Sequence, residues 1–372
     1  DGTARERPVL GAPLDPGASV APASGDEVGD RPGEEGAEQH DGRQRAVGDQ
    51  VGERPDLDPE HHRVADGGAD AVVRHIGGGD EHERHRRPFA PSFRPKVVRE
   101  QFEDDLHGEA RRLVESFGSS GSAELRTQLA GPLAVDTITR FLGLEGVEPR
   151  EVLDWYQHIA GAIVGLVTGE PIPDTCRSAV AEVARRVEHT IEAGSHDFLR
   201  SIRDEGSLRP EEIGSATIVL LFGAIETSEG MTANLIWHLL TNPDVLQRIR
   251  DDRSLVPVAI EESLRLEPAA AVVDRYATRD VEMGGATIRK GDLVTLSLLG
   301  ANRDPDVFDD PDRFDLDRTN LRQHVTFVHG PHGCLGLHLA RLETEAALTA
   351  LLDVCPDLTI DTERTEAPAG LI

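Results

Sequence analysis

The segment from Glu211 to Leu240 is long, helical in its periodicity and nearly free of charge. A helix that is apolar all round has to be buried on every side. It therefore crosses the middle of a large helical domain, and a fold able to surround it needs several further helices. Its longest apolar run, Ile218 to Ile225, falls far short of the roughly 20 residues that a bilayer span requires, so the surroundings are protein and not lipid. The run is broken by Glu226-Thr227-Ser228. An unpaired carboxylate in such a helix is costly, so the break needs a chemical reason.

The surrounding helices are legible. Apolar residues at helical spacing run from Leu125 to Leu142, stopping at Gly143, and again from Val152 to Val167 and from Val258 to Leu266. Arg177 to Ile191 alternates an Ala/Val face with an Arg/Glu face, and Leu335 to Leu352 reads as a closing helix. After Pro268 the period changes to short alternating pieces, Val281 to Met283, Ala286 to Ile288 and Leu293 to Leu298. They are separated by Gly284-Gly285 and Lys290-Gly291-Asp292, as strands with tight turns are. The predicted class is mostly α with a small β region.

This pattern begins only at about Glu81. Residues 1–80 contain no Phe, Tyr or Trp and few aliphatics among Gly, Asp, Glu, Pro, Arg and Gln. Such a stretch cannot bury enough apolar surface to offset a backbone ordering cost of about 1–2 kcal/mol per residue, so no stable fold is expected of it. It also has the composition of a GC-rich gene read out of frame, which fits a chain whose only lysines are Lys96 and Lys290. The expected division is 1–80, atypical, and 81–372, folded.

Charge and cysteine content narrow the function. With 39 Lys+Arg against 68 Asp+Glu, the net charge is −29, which leaves no global field for a polyanion; a nucleic-acid partner is not expected. Asp1-Gly-Thr-Ala-Arg-Glu-Arg has no signal-like apolar run, and Cys176, Cys334 and Cys355 are too scattered for a disulfide framework, so a cytoplasmic protein without a membrane partner is expected.

One cysteine stands apart. In Phe327-Val-His-Gly-Pro-His-Gly-Cys334-Leu-Gly336, the Cys lies on a glycine-rich loop that opens the closing helix. Backbone N–H groups and the helix dipole favour a thiolate there, and Gly330 and Gly336 let the backbone pass close to a flat partner. A lone Cys on a loop usually reads as a structural thiol; the spacing of Phe327, Gly330, Cys334 and Gly336 argues against that.

This motif resembles the haem-ligand signature of the cytochrome P450 family, Phe-x-x-Gly-x-x-x-Cys-x-Gly. One departure is Val328, where the family most often has Gly or another small residue, a change expected to be felt in packing. The resemblance implies haem b with Cys334 as the axial iron ligand, Phe327 and Gly336 lining the loop, and the P450 fold from about Glu81 onward, including Ala301-Asn-Arg-Asp-Pro305. It implies that Glu262 and Arg265, otherwise an ordinary i, i+3 ion pair, join Arg318 in a buried triad that fixes geometry beneath the haem. It assigns Gly223, Ala224, Glu226 and Thr227 to the point where the long helix passes over the haem. Thr227 would help hold oxygen, and Glu226 would feed it protons. It also implies that His82, Arg86, Arg275 and His332 hold the two propionates; as residues alone, His82 and His85 could instead bind a metal.

The function implied is a monooxygenase that inserts one atom of O2 into a small organic substrate, with electrons from a ferredoxin or flavodoxin docking near Arg84, Arg87, Arg94 and Lys96. A haem-binding protein without turnover, or a non-functional remnant, are the alternatives. The N-terminal strands and pocket lid of the family are expected to be missing or garbled before Glu81, and a short strand pair is expected to be missing after Pro368.

Overall fold

The computed structural model describes residues 79–368, apart from 145, 168–170, 195 and the side chains of 163–167. The expectations for residues 1–78 and for the chain beyond Pro368 lie outside the described residues. In order, the elements are α1 (Asp80–Arg86), α2 (Pro95–Phe117), α3 (Gly131–Phe141), α4 (Pro149–Val167), α5 (Asp174–Ala193), α6 (Asp197–Glu205), α7 (Pro210–Thr241), α8 (Pro243–Asp251) and α9 (Val256–Leu266). They continue with β1 (Val272–Tyr276), β2 (Val281–Met283), β3 (Ala286–Ile288), β4 (Leu293–Ser297), α10 (Leu298–Ala301) and α11 (Leu337–Val354).

The long apolar segment is α7, whose 32 residues extend about 48 Å at 1.5 Å each. Pro210 occupies the first turn, where its missing N–H costs nothing, and the Glu212 side chain accepts from the Arg209 backbone N–H at 2.9 Å. Asn242-Pro243 ends the helix and starts α8. Helices α3, α4, α5, α9 and α11 all pack against α7, so it runs through the interior as its composition requires. Two apolar clusters result, a large one around Leu221 and Ile225 and a second around Met231, Leu235, Ile260 and Leu352.

The aromatic residues that open the folded part belong to the large cluster. Phe141 is the hub: its ring lies 4.4 Å from Phe93, 5.4 Å from Phe102 and 4.7 Å from Phe198, and Phe198 lies 5.9 Å from Phe89. No described helix is long and apolar enough to cross a membrane.

The helix predicted over Leu125–Leu142 is present as far as Phe141; it opens with one wide turn, Arg126–Ala130, and runs on unbroken as α3, the wide turn falling where Pro132 has no N–H for the ladder. Helices α2, α6 and α8 and strand β1 were not legible. β1 pairs antiparallel with β4 (Val272 with Ser297, Tyr276 with Leu293), and β2 pairs with β3 across Gly284-Gly285, both with positive φ (58° and 80°), as a tight hairpin needs.

Candidate active site

Cys334 lies on the loop that enters α11. Its N–H donates to the Phe327 carbonyl at 2.8 Å, and Gly333 donates to Gly330 at 3.0 Å, folding the loop back on itself. Cys334 is exposed as a residue, although protein atoms crowd around its thiol. Burial pushes the thiol pKa up; the backbone N–H groups of Gly336 and Leu337, with Arg86 and Arg341 nearby, oppose that rise. A cation bound to the sulfur would complete what those groups begin. A Cβ at Gly330 or Gly336 would meet nothing within 4 Å, so the glycines leave free space along the loop.

Val328 has φ +47°. The consequence of a β-branched residue here is therefore backbone strain rather than packing, since the left-handed region costs an L-residue about 1–2 kcal/mol. Val328→Gly is expected to raise stability by about 0.5–1 kcal/mol after the glycine's greater unfolded entropy is deducted. Chemical denaturation of the variant measures this, and a lower midpoint would refute it.

Behind the loop is a polar frame. Buried Asn302 donates to Thr326 Oγ1 at 2.8 Å and accepts from the Val325 N–H at 2.7 Å, while Thr326 Oγ1 donates to the Leu264 carbonyl at 2.8 Å. Arg341 lies 4.5 Å over the Phe327 ring and donates to Glu261 at 2.8 Å; His324 Nε2 is 2.9 Å from the same carboxylate. Burial opposes ionisation of Glu261, but His324 and Arg341 outweigh it and hold its carboxyl down at about 2. The Ala301–Pro305 motif pointed to Asn302 without assigning it a role, and nothing in the sequence singled out Glu261 or His324.

Glu262, Arg265 and Arg318 come together. The Arg265 guanidinium forms a fork with the Glu262 carboxylate at 2.8 and 2.9 Å, and Arg318 Nε lies 3.1 Å from Oε1. Glu262 and Arg265 have no solvent exposure. Arg265 also donates to the carbonyls of Asn302, Pro311 and Arg313 at 2.9, 2.7 and 3.2 Å, so it spans the descending loop as well as pairing the acid.

His82, Arg86, Arg275 and His332 also converge. The rings of His82 and His332 are 3.9 Å apart, Arg86 donates to the Gly333 carbonyl, and burial, Arg275 and Arg86 together hold the His332 imidazole pKa down. Arg275, on β1, is exposed and donates to the Asp274 carbonyl at 2.7 Å. Among the described residues neither Arg86 nor Arg275 is paired with a carboxylate. A half-buried cation beside the cysteine sulfur, with a second cation nearby, therefore calls for a ligand that carries anionic oxygens. The donor set and the open glycines fit haem with its two propionates.

For the metal alternative at His82 and His85, the group of possible ligands among the described residues includes His85 and not His82. His85 lies with Glu81 and Glu212, but the Arg84 guanidinium donates to Glu81 at 2.7 Å and Glu212 at 2.8 Å and occupies the place of a cation. On the expected docking face, Arg84 is used in this way, Arg87 pairs with Glu205 at 3.0 Å and Lys96 lies 3.6 Å from Glu100.

Glu226 and Thr227 lie in mid-α7. The Thr227 hydroxyl donates to the Gly223 carbonyl one turn back at 2.5 Å, and Glu226 accepts from the Tyr156 phenol of α4. Helix α7 packs on both α11, which begins just past Cys334, and α9, which carries Glu262 and Arg265.

Sequence reasoning missed Glu343, although an acid in the buried stripe of Leu339, Ala346 and Ala350 was a usable signal. Burial raises its pKa to about 8, Asp136 adds to the rise, and Ser228 only partly offsets it. The Thr137 hydroxyl proton is committed to the Leu133 carbonyl at 2.7 Å, so Thr137 offers Glu343 lone pairs only, and Glu343 Oε1 has no hydrogen-bond partner among the described residues. Both facts fit a protonated acid. A raised native pKa means stability is full below the unfolded pKa, about 4.3, and is lost as pH rises toward 8. Glu343→Gln is expected to gain about 3–4 kcal/mol at pH 7 at roughly 1.4 kcal/mol per pH unit. Denaturation of both proteins at several pH values tests this, and parallel curves would refute it.

Comparison with known proteins places these features. The Cytochrome P450 family model matches residues 174–355. The Streptomyces venezuelae cytochrome P450 monooxygenase PikC is 32% identical over 75% of this chain and 68% of its own length. Mycinamicin IV hydroxylase/epoxidase of Micromonospora griseorubida is 31% identical over 77% and 73%. The crystal structure of P450BioI in complex with hexadec-9Z-enoic acid ligated acyl carrier protein superposes with a TM-score of 0.70 at 29% identity, covering 77% of this chain and 75% of that one.

Proposed function

Because this chain belongs to the cytochrome P450 family of haem-thiolate monooxygenases, we propose that it inserts one atom of O2 into a small organic substrate, using electrons from a separate ferredoxin or flavodoxin. The observation that carries this reading is the Cys334 sulfur, flanked by two helix N–H groups and set beside Arg86, which has no carboxylate partner among the described residues. Haem ligated through its iron by the Cys334 thiolate supplies the activation of O2. The rest is done by the chain. His82, Arg86, Arg275 and His332 hold the propionates, Phe327 and Gly336 shape the loop, and Glu262, Arg265 and Arg318 hold the surface on which the loop rests.

Glu226 and Thr227 handle protons. Each turnover consumes one O2, two electrons and two protons, places one oxygen in a substrate C–H bond and releases the other as water. The Thr227 hydroxyl, with its own proton directed to Gly223, presents lone pairs that can accept a hydrogen bond, and the Glu226 carboxylate can pass protons in from the solvent side. Residues 81–372 form the haem domain in this reading.

The committed Thr227 proton also favours a second reading, haem binding without turnover. Supplying the holoprotein with ferredoxin, ferredoxin reductase, NADPH and isotopically labelled O2 separates the two. Labelled product, with Thr227→Ala diverting electrons to peroxide while retaining haem and substrate, supports the monooxygenase. No NADPH consumption above background, together with no labelled product from any of a panel of small hydrophobic substrates, would favour the second.

A further inference from the structure

We infer that Tyr156 is the positioning residue for Glu226: its phenol ties one oxygen of that carboxylate to α4 and leaves the other to exchange protons. The inference rests on the proposed proton-handling role of Glu226. Its basis is the geometry around one turn of α7. The Tyr156 ring stacks on Phe222, with centroids 5.9 Å apart and planes at 22°, one turn before Glu226. Held there, the phenol oxygen reaches Glu226 Oε2 and donates to it. Among the described residues no other group is hydrogen-bonded to this carboxylate.

The neighbouring charges explain why an anchor is needed. Glu229 lies one turn further along the same face of α7, and burial pushes its carboxyl pKa up despite its ion pair with Arg126. Arg126 also senses the charges of Glu226 and Glu124. Three acids therefore face one guanidinium from α7 and from the segment before α3, and a free Glu226 side chain would swing toward Arg126. A neutral donor avoids that competition. Burial first, and then the bond to Glu226, raise the phenol pKa, so Tyr156 stays protonated and remains a donor across the working pH range. A carboxylate held by one oxygen keeps a fixed direction, which proton transfer over hydrogen-bond distance requires.

The chain contains two tyrosines, Tyr156 and the exposed Tyr276, which gives a readout independent of turnover. In a Tyr276→Phe background of the holoprotein, phenol ionisation followed by ultraviolet absorbance reports Tyr156 alone. Adding Glu226→Gln is expected to lower its midpoint by at least about one pH unit; an unchanged midpoint would overturn the inference. The second measurement is product formed per NADPH. Tyr156→Phe is expected to reduce it by about tenfold, the worth of a hydrogen bond to a charged group, and to shift the acid limb of its pH profile. The Tyr156→Phe/Glu226→Gln pair is expected to be no worse than Glu226→Gln alone, whereas additive losses would overturn the inference. If Glu226→Gln alone leaves the yield intact, the proton-handling role of Glu226 fails, while the titration still decides whether phenol and carboxylate are paired.

Discussion

Replacing Cys334 with alanine is expected to abolish the far-red-shifted Soret band of the reduced, CO-bound protein and most haem retention with it. The effect is all-or-none because the sulfur is the one soft anionic ligand on the loop. Burial opposes the free thiolate, and the N–H groups of Gly336 and Leu337 with Arg86 and Arg341 recover only part of that cost, so the bound iron supplies the rest. The fold should persist, since Cys334 belongs to neither apolar cluster. Cys355→Ala, at the far end of α11, should leave the band in place. Survival of the band in Cys334→Ala, or its loss in Cys355→Ala, would show that the ligand has been misassigned.

Glu262→Gln is expected to cost about 3–5 kcal/mol, because it leaves two guanidinium groups buried without their shared counter-charge. Against a total stability of roughly 5–15 kcal/mol, much of the protein should then be unfolded or unable to hold haem. Arg265→Lys should be nearly as damaging: an ammonium cannot make the fork to Glu262 at 2.8 and 2.9 Å while also donating to the carbonyls of Asn302, Pro311 and Arg313. Denaturant midpoints and haem-to-protein ratios measure both variants. Near wild-type values for Arg265→Lys would mean that charge alone, and not the fork, holds the loop.

What could be read beforehand followed how local each signal was. The α7 helix is encoded in its own composition, and the cysteine loop in ten consecutive residues, so both were legible. Glu262 and Arg265 were visible as a pair, but their burial depends on carbonyls some forty residues later, and only the family resemblance joined them to Arg318. The partnerships of Tyr156 with Glu226, of Glu261 with His324 and Arg341, and of Glu343 with Thr137 and Ser228 join residues from separate helices and loops, and no spacing rule announces them. The same locality hid two partners on the expected docking face: Glu212 of α7 reaches Arg84, and Glu205 at the end of α6 reaches Arg87. Strand β1 was missed because Asp274 and Arg275 interrupt its alternation, and pairing with β4 overrides that local weakness.

The frame behind the loop has a kinetic consequence. Asn302, Thr326, Glu261 and Arg341 fasten the Phe327 end of the cysteine loop and the start of α11 to the helix beneath them, and the N–H groups facing the sulfur belong to that fastened backbone. Dipoles held in this way do not reorient when the charge beside them changes. A haem held by Cys334 would therefore accept an electron with little nuclear rearrangement of the protein, and loosening the frame, as in Asn302→Ala, would be expected to slow its reduction in a stopped-flow measurement even where the thiolate ligand remained in place.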